Sequence, residues 1–254
     1  QRFVTTKVRP GFRLRLDLSE PAQRKIYFFG EYDERHEIAL LRRLLRPGDI
    51  FWDIGANIGF YSLTASLLVR PDGRVVAFEP AAHAWQALIT NLGLNQSDNV
   101  QPVQVALSDG SGQARLYRRA DFADGGASLI ARPGYHQDSE AVTTMSLEQF
   151  LAASGEPPPT FVKIDVEGLE ARVLAGARQI WRSSQPPLVL VEMNDPEAIA
   201  AVLQEAGYLG VHRQGRRWRL ATHLREVTTR NMLWFHPSSP DHRDRLAFGQ
   251  VCLG

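Results

Sequence analysis

Four groups of residues could do chemistry, and each stands where a predicted strand ends. The first is Asp53-Ile-Gly-Ala-Asn-Ile-Gly59, which follows the buried run Ile50-Phe-Trp-Asp-Ile54 and opens a helix over 60–69. Gly55 and Gly59 allow a tight turn and close approach of backbone to a ligand. The helix starting near Gly59 offers free N–H groups and the positive end of its dipole, which suit a carboxylate. Asp53 suits a ligand ammonium, directly or through water. The second group is Glu79 and Pro80, with Glu79 twenty residues beyond Gly59 at the end of the run Arg74-Val-Val-Ala-Phe-Glu79. A carboxylate at such a strand end can accept hydrogen bonds from both hydroxyls of a ribose.

The third group is Ala106-Leu-Ser-Asp109. Ser108 or Asp109 could touch the edge of a base, although a plain turn into Gly110 is nearly as good a reading. The fourth is Lys163-Ile-Asp-Val-Glu-Gly-Leu-Glu170. Lys163 and Asp165 share a strand face, since side chains alternate with period two. An acid here, Asp165 or Glu167, could take a proton from a hydroxyl. The plainer alternative is a helix N-cap or a first-turn charge, and Glu170 reads best that way. Glu192-Met-Asn194 could join Asp165 in binding Mg²⁺ through oxygen. A hydrogen-bonding network is the preferred reading, so no metal is expected. The seven histidines show no ligand spacing and read as surface residues.

Loop glycines followed by a strand-end acid also suggest a dinucleotide site. That fingerprint needs Gly-x-Gly-x-x-Gly to admit a pyrophosphate. Here Asp53-Ile-Gly55 stands in place of the first glycine pair. An anionic Asp53 would repel a pyrophosphate but would favour a sulfonium amino acid. The ligand expected is therefore S-adenosylmethionine. An NAD-dependent oxidoreductase and a non-catalytic binding protein on the same fold are the alternatives.

The elements that must hold these residues alternate. Strands are predicted at 50–54, 74–79, 100–106, 161–165 and 188–192, with helices between them over 60–69, through Trp85, Leu88, Ile89 and Leu92, and over 170–181 and 196–206. Short buried strands separated by helices argue for a parallel sheet covered on both faces. Residues 113–159 break the rhythm and suit a lid or a substrate-facing element, with Tyr117, Phe122, Ser128 and Tyr135 as candidates to face an acceptor. Gly125-Gly126 suggests a hinge there. The last strands fall at 208–213 and 231–235, the basic stretch Arg213 to Arg219 reads as a solvated loop, and the polar residues after Pro237 read as a poorly ordered tail.

Bulk composition narrows the partners. With 29 basic and 28 acidic residues the net charge is +1, so no nucleic-acid or membrane partner is expected. The first 25 residues are locally basic, which a solvated strand face explains better than an acidic partner does. Cys252 is the single cysteine, so no intrachain disulfide can form, which suits a reducing compartment. No apolar run is long enough to span a membrane and no signal peptide is evident at Gln1, so a cytoplasmic location is expected.

The matched text Phe51-Trp-Asp-Ile-Gly-Ala-Asn-Ile-Gly-Phe-Tyr-Ser62, Phe78-Glu-Pro80, Ala106-Leu-Ser-Asp109, Val162-Lys-Ile-Asp-Val-Glu-Gly-Leu-Glu170, Val191-Glu192 and Asn231-Met-Leu-Trp-Phe235 resembles the FkbM-type methyltransferases. The resemblance implies a class I, Rossmann-like α/β fold: a seven-stranded sheet with an antiparallel last strand and helices on both faces. It divides the chain into an N-terminal extension (1–30), a methyltransferase domain (31–236) with its insertion before the fourth strand, and a C-terminal tail (237–254). It implies S-adenosylmethionine as donor and the hydroxyl of a sugar or secondary metabolite as small-molecule acceptor. By position, Asp53, Gly55, Asn57 and Gly59 should line the methionine end, Glu79 and Pro80 the ribose, and Ser108 the adenine. Asp165 and Glu167 should face the reacting centre, with Asp165 close to the donor as well. One departure is Ser146 in Thr144-Met-Ser-Leu147, where the family often carries an acid.

Overall fold

Strands that are apolar on both faces must be covered on both faces, and that requirement organises the chain. The computed structural model describes residues 2–9, 11–30, 32, 34–119, 127–131, 135–215, 217–221, 223, 224, 227 and 229–248. A hairpin, β1 (Phe3–Lys7) and β2 (Arg13–Asp17), precedes helices α1 (Pro21–Phe29) and α2 (Arg35–Leu44). Alternation follows as β3 (Ile50–Ile54), α3 (Phe60–Val69), β4 (Arg74–Phe78), α4 (Ala82–Asn95) and β5 (Val100–Val103). Next come β6 (Ala106–Leu107) and β7 (Gly112–Arg119), which leads into the insertion, and the insertion supplies β8 (Ala127–Ser128), β9 (Tyr135–Met145) and α5 (Leu147–Ser154). Then come β10 (Phe161–Ile164), α6 (Glu170–Ala175), α7 (Arg178–Trp181), β11 (Leu188–Glu192), α8 (Pro196–Glu205), β12 (Leu209–Gln214), β13 (Arg217–Leu220), β14 (Asn231–Phe235) and α9 (Pro240–Phe248).

The main sheet has the order β13-β12-β14-β11-β10-β3-β4-β5. The five strands from β11 to β5 are mutually parallel, while β14, β12 and β13 join antiparallel. Period-two alternation sends Phe51, Phe161, Leu188 and Leu233 to one face, under α2, α3 and α4. It sends Trp52, Ile54, Val162 and Trp234 to the other, under α5, α6, α7 and α8. In α4 the buried positions are Ala84, Leu88, Asn91 and Leu92, while Ile89, expected on the apolar face, is exposed.

Further expectations are corrected. Among the described residues the sheet has eight strands, not seven, because Arg217–Leu220, at the end of the basic stretch, forms a strand. Gly215 turns the chain at φ +62°, and β13 then exposes Arg217 and Arg219 while burying Trp218. The third strand is shorter than its sequence suggests. It ends at Val103, and Ala106–Leu107 passes to a second sheet of order β6-β9-β7-β8. Within the polar tail, Pro240–Phe248 form a helix. Arg245 of α9 forks onto Asp49 at 2.5 and 2.7 Å and donates to the Leu44 carbonyl at 2.9 Å. His242 and Leu246 are buried beside it, and His212 is buried in β12, so two of the histidines lie inside.

The insertion's helix also explains the departure at Ser146. That residue is the N-cap of α5, with a reciprocal capping box to Gln149. Serine and aspartate serve such a cap about equally well, so the exchange keeps the helix start.

Arg245 and Asp49 are both buried, so removing one partner strands a charge. Arg245→Ala should cost about 3–5 kcal/mol of stability in urea unfolding. A loss below about 1 kcal/mol would mean that α9 does not hold the sheet.

Candidate active site

A cavity of about 360 Å³ opens at the carboxyl ends of β3, β4 and β10. That end of an open α/β sheet is where ligands bind. Gly55, Asn57, Glu79, Pro80, Asp165 and Glu167 all line it. Gly59, Asp53 and Ser108 do not.

The loop after β3 is shaped by its neighbour strand. Gly55 has φ +84°, and a Cβ there would lie 1.9 Å from the Asp165 carbonyl oxygen. Glycine is required so that the β10 loop can close over β3. Gly59 is the N-cap of α3 at φ +91°, where a Cβ would meet the Leu88 side chain at 2.7 Å. Asn57 takes φ +50°. Its N–H donates to Glu79 Oε2 at 2.8 Å, and the Ala81 N–H donates to Glu79 Oε1 at 2.9 Å. Each Glu79 oxygen thus keeps acceptor capacity. Burial raises this carboxyl to about 7, against the pull of those two donors.

Asp53 is wholly buried behind the cavity wall. Its Oδ2 accepts from the Ser62 hydroxyl at 2.6 Å, while Oδ1 has no hydrogen-bond partner. An orphaned buried oxygen costs about 1–3 kcal/mol. Burial raises its pKa, outweighing Lys163 and Ser62.

Lys163 is paired in register with Asp53 across β10 and β3, so the two side chains share one face. Its Nζ is buried, 3.1 Å from Asp165 Oδ2 and 4.4 Å from the centre of the Tyr61 ring. Burial alone would lower its pKa, but the carboxylates of Asp165, Asp53 and Glu34 outweigh burial and hold it above its ordinary value. Asp165 also resists burial. Lys163, a hydrogen bond from Glu192, and Arg230 keep it below the usual carboxylate range. Burial and the Asp165 charge raise Glu192 to about 8, against Arg230.

Sequence reasoning missed three members of this cluster. Glu34 lines the cavity and accepts the Tyr61 hydroxyl at 2.5 Å. Burial and the Asp165 charge raise its pKa, against Lys163, Tyr61 and Arg230. Arg230 pairs with Glu192 and lies 3.9 Å from Glu167. Glu34 carries no motif signal, while Tyr61 lies inside a matched segment and Arg230 directly precedes another.

Glu170 does more than charge a helix start. Its Oε1 accepts from the N–H groups of Val166 and Gly168 and from Asn194 Nδ2. These bonds fix the loop in which Glu167 takes φ +55°. Asn194 also donates to Glu192 Oε2 at 2.7 Å, which is the network expected there. The N-cap of α6 is Leu169, so neither Asp165 nor Glu167 is the cap.

Ser108 lies apart from the cavity lining. It is buried outside the cavity, and its hydroxyl donates to Asp109 Oδ1 at 3.1 Å. Its N–H pairs with the Met145 carbonyl as β6 joins β9. Val105, Ala106 and Leu107 face the cavity instead. In the insertion, Leu116 faces the cavity where Tyr117 was expected, and Ser128 donates to the Glu167 carbonyl at 3.0 Å. Phe122, the Tyr135 side chain and Gly125-Gly126 lie outside the described residues.

These strand-end acids stand on a Rossmann-like α/β sheet. The chain belongs to the FkbM methyltransferase family, since the Methyltransferase FkbM domain matches residues 53–209. The hexuronic acid methyltransferase AglP of Haloferax volcanii is 30% identical over 176 residues, covering 68% of this chain and 69% of AglP. The 31-O-demethyl-FK506 methyltransferase FkbM of Streptomyces tacrolimicus is 29% identical over 209 residues, covering 67% of this chain and 76% of that protein. The crystal structure of methyltransferase FkbM from Methylobacillus flagellatus KT covers 85% of this chain and 54% of its own, at 15% identity and a TM-score of 0.48.

The two loop glycines should respond unequally to alanine. A left-handed alanine costs about 1–2 kcal/mol at either position. Gly55→Ala must also displace backbone, so it should lose at least about 3 kcal/mol in urea unfolding. Gly59→Ala meets only a leucine methyl group and should lose less. Equal losses would contradict the closure of the β10 loop on Gly55.

Proposed function

We propose that the protein moves the methyl group of S-adenosylmethionine to a hydroxyl oxygen of a small acceptor, a sugar or a secondary metabolite. The observation that carries this reading is that Glu79, with acceptor capacity left on both oxygens, and Asp165, held ionised by a buried lysine, line one cavity. The relatives add support. One is named for a hexuronic acid and the other for a 31-O-demethyl compound, so a sugar acid and an oxygen acceptor are both represented.

The residues fit the donor. The unpartnered Asp53 Oδ1 suits an ammonium reached through one water. Gly55, Asn57 and Gly59 shape the turn at the methionine end. Glu79 and Pro80 hold the ribose, and Ala106 and Leu107 offer apolar surface to the adenine. When bound, S-adenosylmethionine supplies a methyl group already activated on a sulfonium. Much of the remaining work is positioning.

Asp165 takes the proton of the acceptor hydroxyl. Lys163 fixes its carboxylate and keeps it ionised. Glu192 supplies a hydrogen bond in place of a second negative charge. Glu167, steered by Arg230, orients the acceptor at the cavity's rim.

Asp165→Asn keeps the shape and removes the base. It should lower kcat by about 10²–10⁴-fold while S-adenosylhomocysteine binds as in the parent, measured by methyl transfer from labelled donor and by calorimetry. Turnover at the parent rate with normal donor binding would remove Asp165 from that role.

A further inference from the structure

Residues 1–30 carry seven basic side chains and two acidic ones. Both acids, Asp17 and Glu20, are buried. Arg2 is tied to Asp17 at 2.6 Å. Lys7, Arg9, Arg13, Arg15, Arg24 and Lys25 are all exposed, so the outer surface of this segment is cationic. Lys7 stands opposite Arg13 across the hairpin, and Arg15 lies two residues along, so these three project from one face.

Beside them lies apolar surface. Helix α1 buries Gln23 and Ile26 and turns three consecutive rings outward. Tyr27 is 41% exposed, Phe28 73% and Phe29 71%. Phe28 follows Arg24 by one helical turn, and Phe29 follows Lys25, so each ring shares a helix side with a cation. The Arg9 N–H donates to the Gly30 carbonyl at 2.7 Å, which holds the cationic hairpin end against the aromatic end of α1.

We propose that α1 and the β1–β2 hairpin form an interfacial anchor that docks the protein on an anionic lipid bilayer. Aromatic rings entering the headgroup boundary, flanked by lysine and arginine at anionic headgroups, are the elements of such an anchor. Charge complementarity selects this occupant. A second copy of the same face would bring cations against cations. The anchor rests on the surface and does not cross it, since no helix among the described residues is long and apolar enough to span a membrane. It departs from the expectation of no membrane partner, which rested on net charge. The charge of the whole chain is near zero only because the basic residues of this segment are balanced elsewhere.

Gln23 and Ile26 of α1 also line the cavity. Docked through Phe28 and Phe29, the molecule would hold the cavity beside the headgroup layer, where an acceptor carried on lipid could reach it. That consequence rests on the methyltransferase reading, while the docking itself does not.

The test is co-sedimentation of the full chain with phosphatidylcholine vesicles, with and without phosphatidylglycerol. Binding should require the anionic lipid. It should fall when salt rises from about 0.1 M to about 1 M, which shortens the Debye length from about 10 Å to about 3 Å. Replacing Phe28→Ser and Phe29→Ser should each weaken binding about tenfold. Arg9→Glu with Arg13→Glu should weaken it on anionic vesicles. Unchanged melting and unchanged S-adenosylhomocysteine binding would show that these variants fold. Failure of the parent to bind anionic vesicles would overturn the proposal, as would binding that ignores the two phenylalanines. Self-association abolished by Phe28→Ser, with no vesicle binding, would assign the patch to a second copy instead.

Discussion

One buried ammonium, Lys163, makes the site possible. Asp53, Asp165 and Glu34 converge on the same end of the sheet, and three carboxylates gathered there would repel one another and neutralise by protonation. The in-register pairing of β10 with β3 sets Lys163 beside Asp53, and the period of the strand sets Asp165 above it. Tyr61 covers the ammonium with its ring and passes its hydroxyl to Glu34. The lysine is therefore paired on several sides, which is the condition under which a buried charge is tolerated. Its length and its compact charge allow this where a short cation could not reach.

Around that pair the fold supplies rigid walls. Glu170 fastens the loop behind Asp165 through two backbone N–H groups, and Ser128 of the insertion fastens the Glu167 carbonyl from the opposite side. Gly55 lets this loop lie directly on the turn after β3. The turn after β3 and the loop after β10 are thus parts of one packed unit. A shift at Gly55 reaches Asp165 through a single contact.

What the sequence made legible follows from what is local. The strand-turn-helix around Asp53, the strand-end acid at Glu79 and the parallel core all rest on short-range patterns, and the structure has them. The eighth strand was hidden because its arginines advertise solvent, while one tryptophan, Trp218, decides the burial. Helix α9 was hidden because its stability comes from Arg245 meeting Asp49, nearly two hundred residues away. Glu34 and Arg230 reach the site only through topology, so no spacing rule could find them. Tyr117 differs by one position from Leu116, which faces the cavity, and along a strand one position reverses the face.

This cleft is proposed to take an S-adenosyl amino acid and not a dinucleotide, because the loop after β3 lacks the glycine pair that admits a pyrophosphate. Titration calorimetry of the purified chain with S-adenosylhomocysteine and, separately, with NAD tests it directly. The prediction is saturable binding of S-adenosylhomocysteine at one site, lost in Glu79→Ala, and no heat of binding with NAD. Saturable binding of NAD with none of S-adenosylhomocysteine would contradict it.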